Sequence, residues 1–153
     1  MWSGTSTEIT TSSPEATLRV GQQLAACLRP PVLVFLHGGL GSGKTTLVKG
    51  IVSGLGLADA REVRSPSFVF VHVFRNHHTV YHVDLYRIEQ PLETETLGLD
   101  DFLSERSIVI VEWAEKLAPS GLRPDWRVTL ETLSDRERRI SIEEAQPEKG
   151  NRP

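Results

Sequence analysis

Val32-Leu33-Val34-Phe35-Leu36-His37 runs directly into Gly38-Gly39-Leu40-Gly41-Ser42-Gly43-Lys44-Thr45-Thr46, and this stretch decides the reading of the chain. The first segment is almost continuously apolar without alternation, the form of a short strand buried on both faces of a parallel sheet. The second matches G-x-x-x-x-G-K-[ST] at every fixed position. Behind it Leu47, Val48, Ile51, Val52 and Leu55 recur at helical spacing, and Gly56 stands where a left-handed C-terminal cap belongs. Strand, glycine-rich loop and helix in that order predict a phosphate-binding loop. The glycines let successive backbone N–H groups converge on phosphate oxygens, and the helix adds the positive end of its dipole. Gly41, Ser42 and Gly43 are therefore expected to hold phosphate through the backbone, with Lys44 charging the β and γ phosphates. The Thr45 hydroxyl suits magnesium, which takes few protein ligands.

Working outward, Ser13 reads as the N-cap of a first helix, with Pro14 at its first position and Glu15 beside the positive dipole end. Leu18, Gly21, Leu24, Ala25 and Leu28 share one face, and Pro30-Pro31 stop the helix. Residues 67–74 and 80–84 predict an antiparallel hairpin, 92–103 one or two short helices, and 108–111 a second buried strand ending at Glu112. Residues 126–133 and 138–143 alternate around Ser134-Asp135 and predict a closing hairpin. The expected fold is a single α/β domain of the P-loop NTPase kind: a mixed, mostly parallel sheet flanked by helices, with antiparallel hairpins. Its expected bounds are 13–144, with 1–12 as a flexible lead and 145–153 as a disordered tail.

A chain of 153 residues, 39% of them hydrophobic, supports one core and not two. No apolar run reaches the length of a membrane span, and the Ser/Thr-rich start resembles neither a signal nor a transit peptide. Cys27, placed on the apolar side of the first helix, is the only cysteine, so no intramolecular disulfide is possible. A soluble protein of the reducing cytoplasm is expected, with no membrane partner. Seventeen Lys and Arg against twenty Asp and Glu argue against a broad nucleic-acid surface, so RNA contact is expected to be local or through a partner.

A phosphate-loop enzyme also needs an acidic group at the tip of a neighbouring strand to hold magnesium. Glu112 and Asp84 both end predicted strands; Glu112 is the first choice and Asp84 the competitor. Glu93, Glu95, Asp100 and Asp101 read as a solvated helical face. His72, His77, His78 and His82 lie along the first hairpin, where adjacent His77 and His78 point apart, so surface or cross-strand histidines are expected rather than a zinc site.

Together these motifs resemble the bacterial TsaE (YjeE) family of P-loop ATPases, which serve threonylcarbamoyladenosine synthesis on tRNA. The resemblance rests on Gly38 to Thr46, Ser65-Pro66-Ser67-Phe68, Tyr81-His82-Val83-Asp84-Leu85-Tyr86-Arg87, Leu97-Gly98-Leu99 and Val111-Glu112-Trp113. It implies ATP and Mg2+ as cofactors, Thr45 and Glu112 on the metal, and Asp84 with Lys44 and Glu112 in hydrolysis. It also implies a switch loop over 65–67 and adds Thr46, Ser67, Trp113 and Arg138 to the nucleotide-binding set. Implied partners are the TsaB and TsaD type subunits, the tRNA being reached through their complex next to the anticodon. The chain departs from the family in carrying Gly39 where an acidic residue is usual and Ser67 where threonine is usual.

Two other readings compete. A small-molecule P-loop kinase uses the same loop but needs an acceptor site and an arginine-bearing lid, for which the chain has no obvious insertion. A nucleotide-gated binding module would work through 65–67 with negligible hydrolysis. A GTPase is disfavoured by the lack of an Asn-Lys-x-Asp run.

Overall fold

β2 (Val32–His37) occupies the middle of a seven-stranded sheet in the computed structural model, which describes residues 6–57, 71–75, 77–86, 103 and 106–145. The other elements are β1 (Ser6–Thr11), α1 (Pro14–Ala25), α2 (Lys44–Gly54), β3 (Val71–Arg75), β4 (Thr79–Asp84), β5 (Ser107–Glu112), a 3₁₀ helix (Ala114–Ser120), β6 (Trp126–Thr132) and β7 (Arg138–Glu144). Strand order is β1-β7-β6-β2-β5-β4-β3. β2 pairs in parallel with β5 and β6, and β4 in parallel with β5. The two hairpins and the β1–β7 pair are antiparallel and form the margins.

The unbroken apolar runs of β2 and β5 follow from this central position. Val32, Val34 and Leu36 pack with Leu24 of α1 and with Leu47, Val48 and Ile51 of α2, whereas Leu33 and Phe35 face Val83, Val109, Val111 and Leu117 on the other side. Every position meets a core, so no polar residue interrupts the run.

α1 and α2 meet backbone to backbone. A Cβ on Gly21 would stand 2.3 Å from the Leu47 carbonyl oxygen, and one on Gly50 2.1 Å from that of Leu18. No rotamer relieves a clash with backbone, so Gly50→Val is expected to lower stability by about 3 kcal/mol, high in the range for overpacking. Urea unfolding measures it, and an unchanged midpoint would contradict this contact.

Ser13 caps α1, its Oγ accepting from the Ala16 N–H at 3.1 Å. Gly56 is left-handed at φ 71°, and the Gly56 and Leu57 N–H groups donate to the Ser53 and Val52 carbonyls in a Schellman closure of α2. The lead segment is corrected: Ser6–Thr11 is not flexible but a sheet strand, registered from Ser6 on Glu143 to Thr11 on Arg138. Its inward positions are Thr7, Ile9 and Thr11, and the Thr11 and Thr17 hydroxyls bond at 2.8 Å. An edge strand held by its ladder needs little apolar character, which is why composition hid it.

α1 also ends earlier than the prolines suggest. The Ala26, Cys27 and Leu28 N–H groups bond three residues back, tightening the last turn before Pro30. Cys27 is accordingly past the helix and only half-buried, with its thiol pKa raised by burial. The expected helices within 92–103, the loop 65–67 and the tail 145–153 lie outside the described residues, save Leu103 and Ala145, whose N–H donates to the Asp125 carbonyl at 2.7 Å. No helix among the described residues is long and apolar enough to cross a membrane.

Candidate phosphate-binding site

β2, β4 and β5 are parallel, so their C-terminal ends open on one edge of the sheet, the place where α/β folds bind ligands. The loop leaving β2 turns through Gly41 at φ 74° and Gly43 at φ 103°, left-handed values that favour glycine. Gly43 is the N-cap of α2, and no side chain caps that terminus. A cleft of about 300 Å³ lies against the loop, lined by residues 39–46 and by Asp84, Tyr86, Glu112 and Trp113.

Lys44 is buried in the wall of this cleft. Its Nζ donates to the carbonyl oxygens of Gly38 and Gly39 and lies 3.9 Å from the centre of the Trp113 ring. Burial lowers the ammonium pKa from its ordinary value, while Glu112, Glu115 and Asp84 oppose that shift. Trp113 reaches this position because its backbone is left-handed, φ 60° and ψ 40°, which turns the chain sharply out of β5. Tyr86 packs against it with ring centres 5.1 Å apart and the planes tilted by 39°.

Asp84 and Glu112 are register partners across β4 and β5 and are both buried. Burial pushes the Asp84 carboxyl above its usual range. The Tyr86 N–H, donating to Oδ1 at 2.9 Å, pulls it down, and the Glu112 charge raises it further. Glu112 is 2% exposed, with its Oε2 2.5 Å from His82 Nε2.

Gly41, Ser42, Gly43, Lys44, Thr45, Thr46, Asp84, Glu112 and Trp113 thus converge on one cleft. Arg138 reaches the loop from elsewhere: its Nη2 donates to the Gly41 carbonyl at 3.1 Å and its Nη1 to those of Ser134 and Glu137, and it does not line the cleft. Ser67 lies outside the described residues. A Cβ at Gly39 would meet no atom within 4 Å beyond its chain neighbours, so packing around the Cβ does not demand glycine there.

Among the histidines, His72 and His82 face each other across the hairpin and His77 and His78 are exposed. No group of three or more His, Cys, Asp or Glu is placed to hold a metal among the described residues. Sequence reasoning missed the contact of His82 with Glu112. It also missed the bond of His37 Nδ1 with Glu115 Oε2 at 3.0 Å, which ties the end of β2 to the 3₁₀ helix. The spacing of His82 two residues before Asp84, hence on one strand face, was the available signal for the first.

The family model for threonylcarbamoyl adenosine biosynthesis protein TsaE matches residues 11–140. The chain belongs to the TsaE family. Among its relatives, the tRNA threonylcarbamoyladenosine biosynthesis protein TsaE of Bacillus subtilis is 34% identical over 133 residues, 86% of this chain and 82% of the relative. The protein of that name from Streptomyces coelicolor is 45% identical over 100 residues, covering 63% and 66% of the two chains. The crystal structure of Bacillus subtilis YdiB superposes with a TM-score of 0.74 at 26% identity, over 95% of this chain and 90% of that one. The glycine loop, Asp84, Glu112 and Trp113 all fall inside the stretch matched to TsaE.

Proposed function

We propose that this TsaE-family protein is a magnesium-dependent ATPase of the cytoplasm required for threonylcarbamoyladenosine modification of tRNA. In this reading it hydrolyses ATP to ADP and phosphate and thereby energises or resets a threonylcarbamoyl-transferase complex of TsaB and TsaD type subunits, which holds the tRNA. The supporting observation is the convergence of the glycine loop, Lys44 and two buried carboxylates on one cleft. The pathway follows the printed names of the relatives, and the choice of ATP follows the family resemblance.

The donors present suit magnesium. The Thr45 hydroxyl and the Glu112 carboxylate are oxygen groups lining the same cleft, the hard donors this ion selects. When bound, magnesium would screen the charge on the β and γ phosphates. The backbone N–H groups of residues 41–46 cradle the phosphates, and Lys44 exchanges its loop carbonyls for the β and γ oxygens. Asp84, its basicity raised by burial, orients the attacking water and takes up its proton. The water oxygen bonds to the γ phosphorus as the bond to the β–γ bridging oxygen breaks, and ADP departs. No arginine lines the cleft among the described residues, so charge on the γ phosphate is incompletely met and turnover alone is slow.

ADP release measured with ATP alone, with small phosphate acceptors and with the partner subunits tests this reading. Slow release, accelerated by the partners, is expected. A phosphorylated acceptor would instead make the protein a small-molecule kinase, and no release even with partners would make it a nucleotide-gated binding module.

A further inference from the structure

His82 is fully buried on β4, and its register partner on β5 is Ile110. Glu112 stands two residues beyond Ile110, on the same face and diagonal to the ring. Around His82 that face carries the core residues Val80, Ile108 and Ile110, and across the hairpin His72, whose own Nδ1 is buried without a partner among the described residues. The His82 Nε2 lies 2.5 Å from Glu112 Oε2, while its Nδ1 likewise has no partner among the described residues. An ionised carboxylate only accepts, so Nε2 is the donor in this contact. The polar contact that justifies burying this ring is therefore the one to Glu112.

We propose that His82 is a positioning residue for Glu112: by donating to Oε2 it fixes the rotation of the carboxylate that faces the nucleotide cleft. This inference rests on the reading of Glu112 as a magnesium ligand. Carboxylates that bind metal are themselves oriented by hydrogen bonds, and loss of such a bond typically costs ten- to a hundredfold in metal affinity. His82 does not line the phosphate loop's cleft, so it acts through a residue that does, and the one its ring hydrogen-bonds is Glu112.

Titration calorimetry of ATP binding, with magnesium and with EDTA, tests the idea on the full chain. His82→Leu is expected to weaken binding about ten- to a hundredfold with magnesium and to leave binding in EDTA unchanged. His82→Gln, whose amide still donates, is expected to recover most of the loss. His82→Asn, too short to reach Glu112, should behave as His82→Leu while keeping a polar group, and it replaces His82→Leu if that variant does not fold. Equal losses with and without magnesium, or none in either, would overturn the positioning role. A wild-type protein indifferent to magnesium would overturn the reading of Glu112 itself, and the role of His82 with it.

Discussion

Replacing Lys44 by alanine is expected to weaken ATP binding about ten- to a hundredfold. A charge-assisted hydrogen bond contributes about 1.5 to 3 kcal/mol, and about 1.4 kcal/mol is a factor of ten in affinity. The position of Lys44 puts it in the upper part of that range. It is 5% exposed and surrounded by the loop backbone and the Trp113 ring, so its charge acts with little screening by water. Binding also has a cost, because Nζ must give up the Gly38 and Gly39 carbonyls and the face of Trp113. The alanine variant loses those contacts as well, and a modest drop in melting temperature is expected alongside the loss of affinity. Calorimetry showing ATP affinity unchanged would remove the basis for calling 38–45 a phosphate loop.

The two carboxylates are expected to separate by role. Asp84→Asn should leave ATP affinity within a few-fold of wild type and reduce turnover by a hundredfold or more, the span commonly associated with loss of a positioned base, on the order of 10²–10⁴. Glu112→Gln should instead weaken binding in magnesium while changing it little in EDTA, since an amide offers the ion no charge. Single-turnover rates at saturating ATP, set beside the affinities, distinguish these outcomes. The reverse pattern would exchange the assignments of Asp84 and Glu112.

Asp84 also predicts a pH effect of definite sign. Its carboxyl pKa is raised on folding by burial, so the native state binds the proton more tightly than the unfolded chain does. The resulting destabilisation is absent below the unfolded pKa, grows as pH rises and is complete above the folded pKa. At neutral pH the Asp84→Asn variant is therefore expected to melt no lower than the wild type, with the difference vanishing in acid. Undiminished stability alongside lost turnover would mark Asp84 as a residue kept for chemistry rather than for the fold.

The placement of the candidate site's parts was legible in the sequence because each part is contiguous. Gly38 to Thr45 states its own spacing, the runs ending in Asp84 and Glu112 mark strand tips, and Ser13 and Gly56 mark helix ends by propensities that act within a few residues. The α/β class follows from the same signals, since a buried parallel strand needs apolar groups on both faces. Strand order, by contrast, depends on which chain segments meet, and no local preference specifies that β2 lies between β5 and β6 or that Ser6–Thr11 adds itself to β7. A ladder of backbone hydrogen bonds is nearly blind to side-chain identity, so a polar edge strand leaves little trace in composition. The tight contact of Gly21 and Gly50, the fold of Trp113 over Lys44 and the bond from His82 to Glu112 likewise join residues far apart in sequence. Only the tertiary structure decided them, because each depends on distances across the sheet and between helices that periodicity along the chain does not encode.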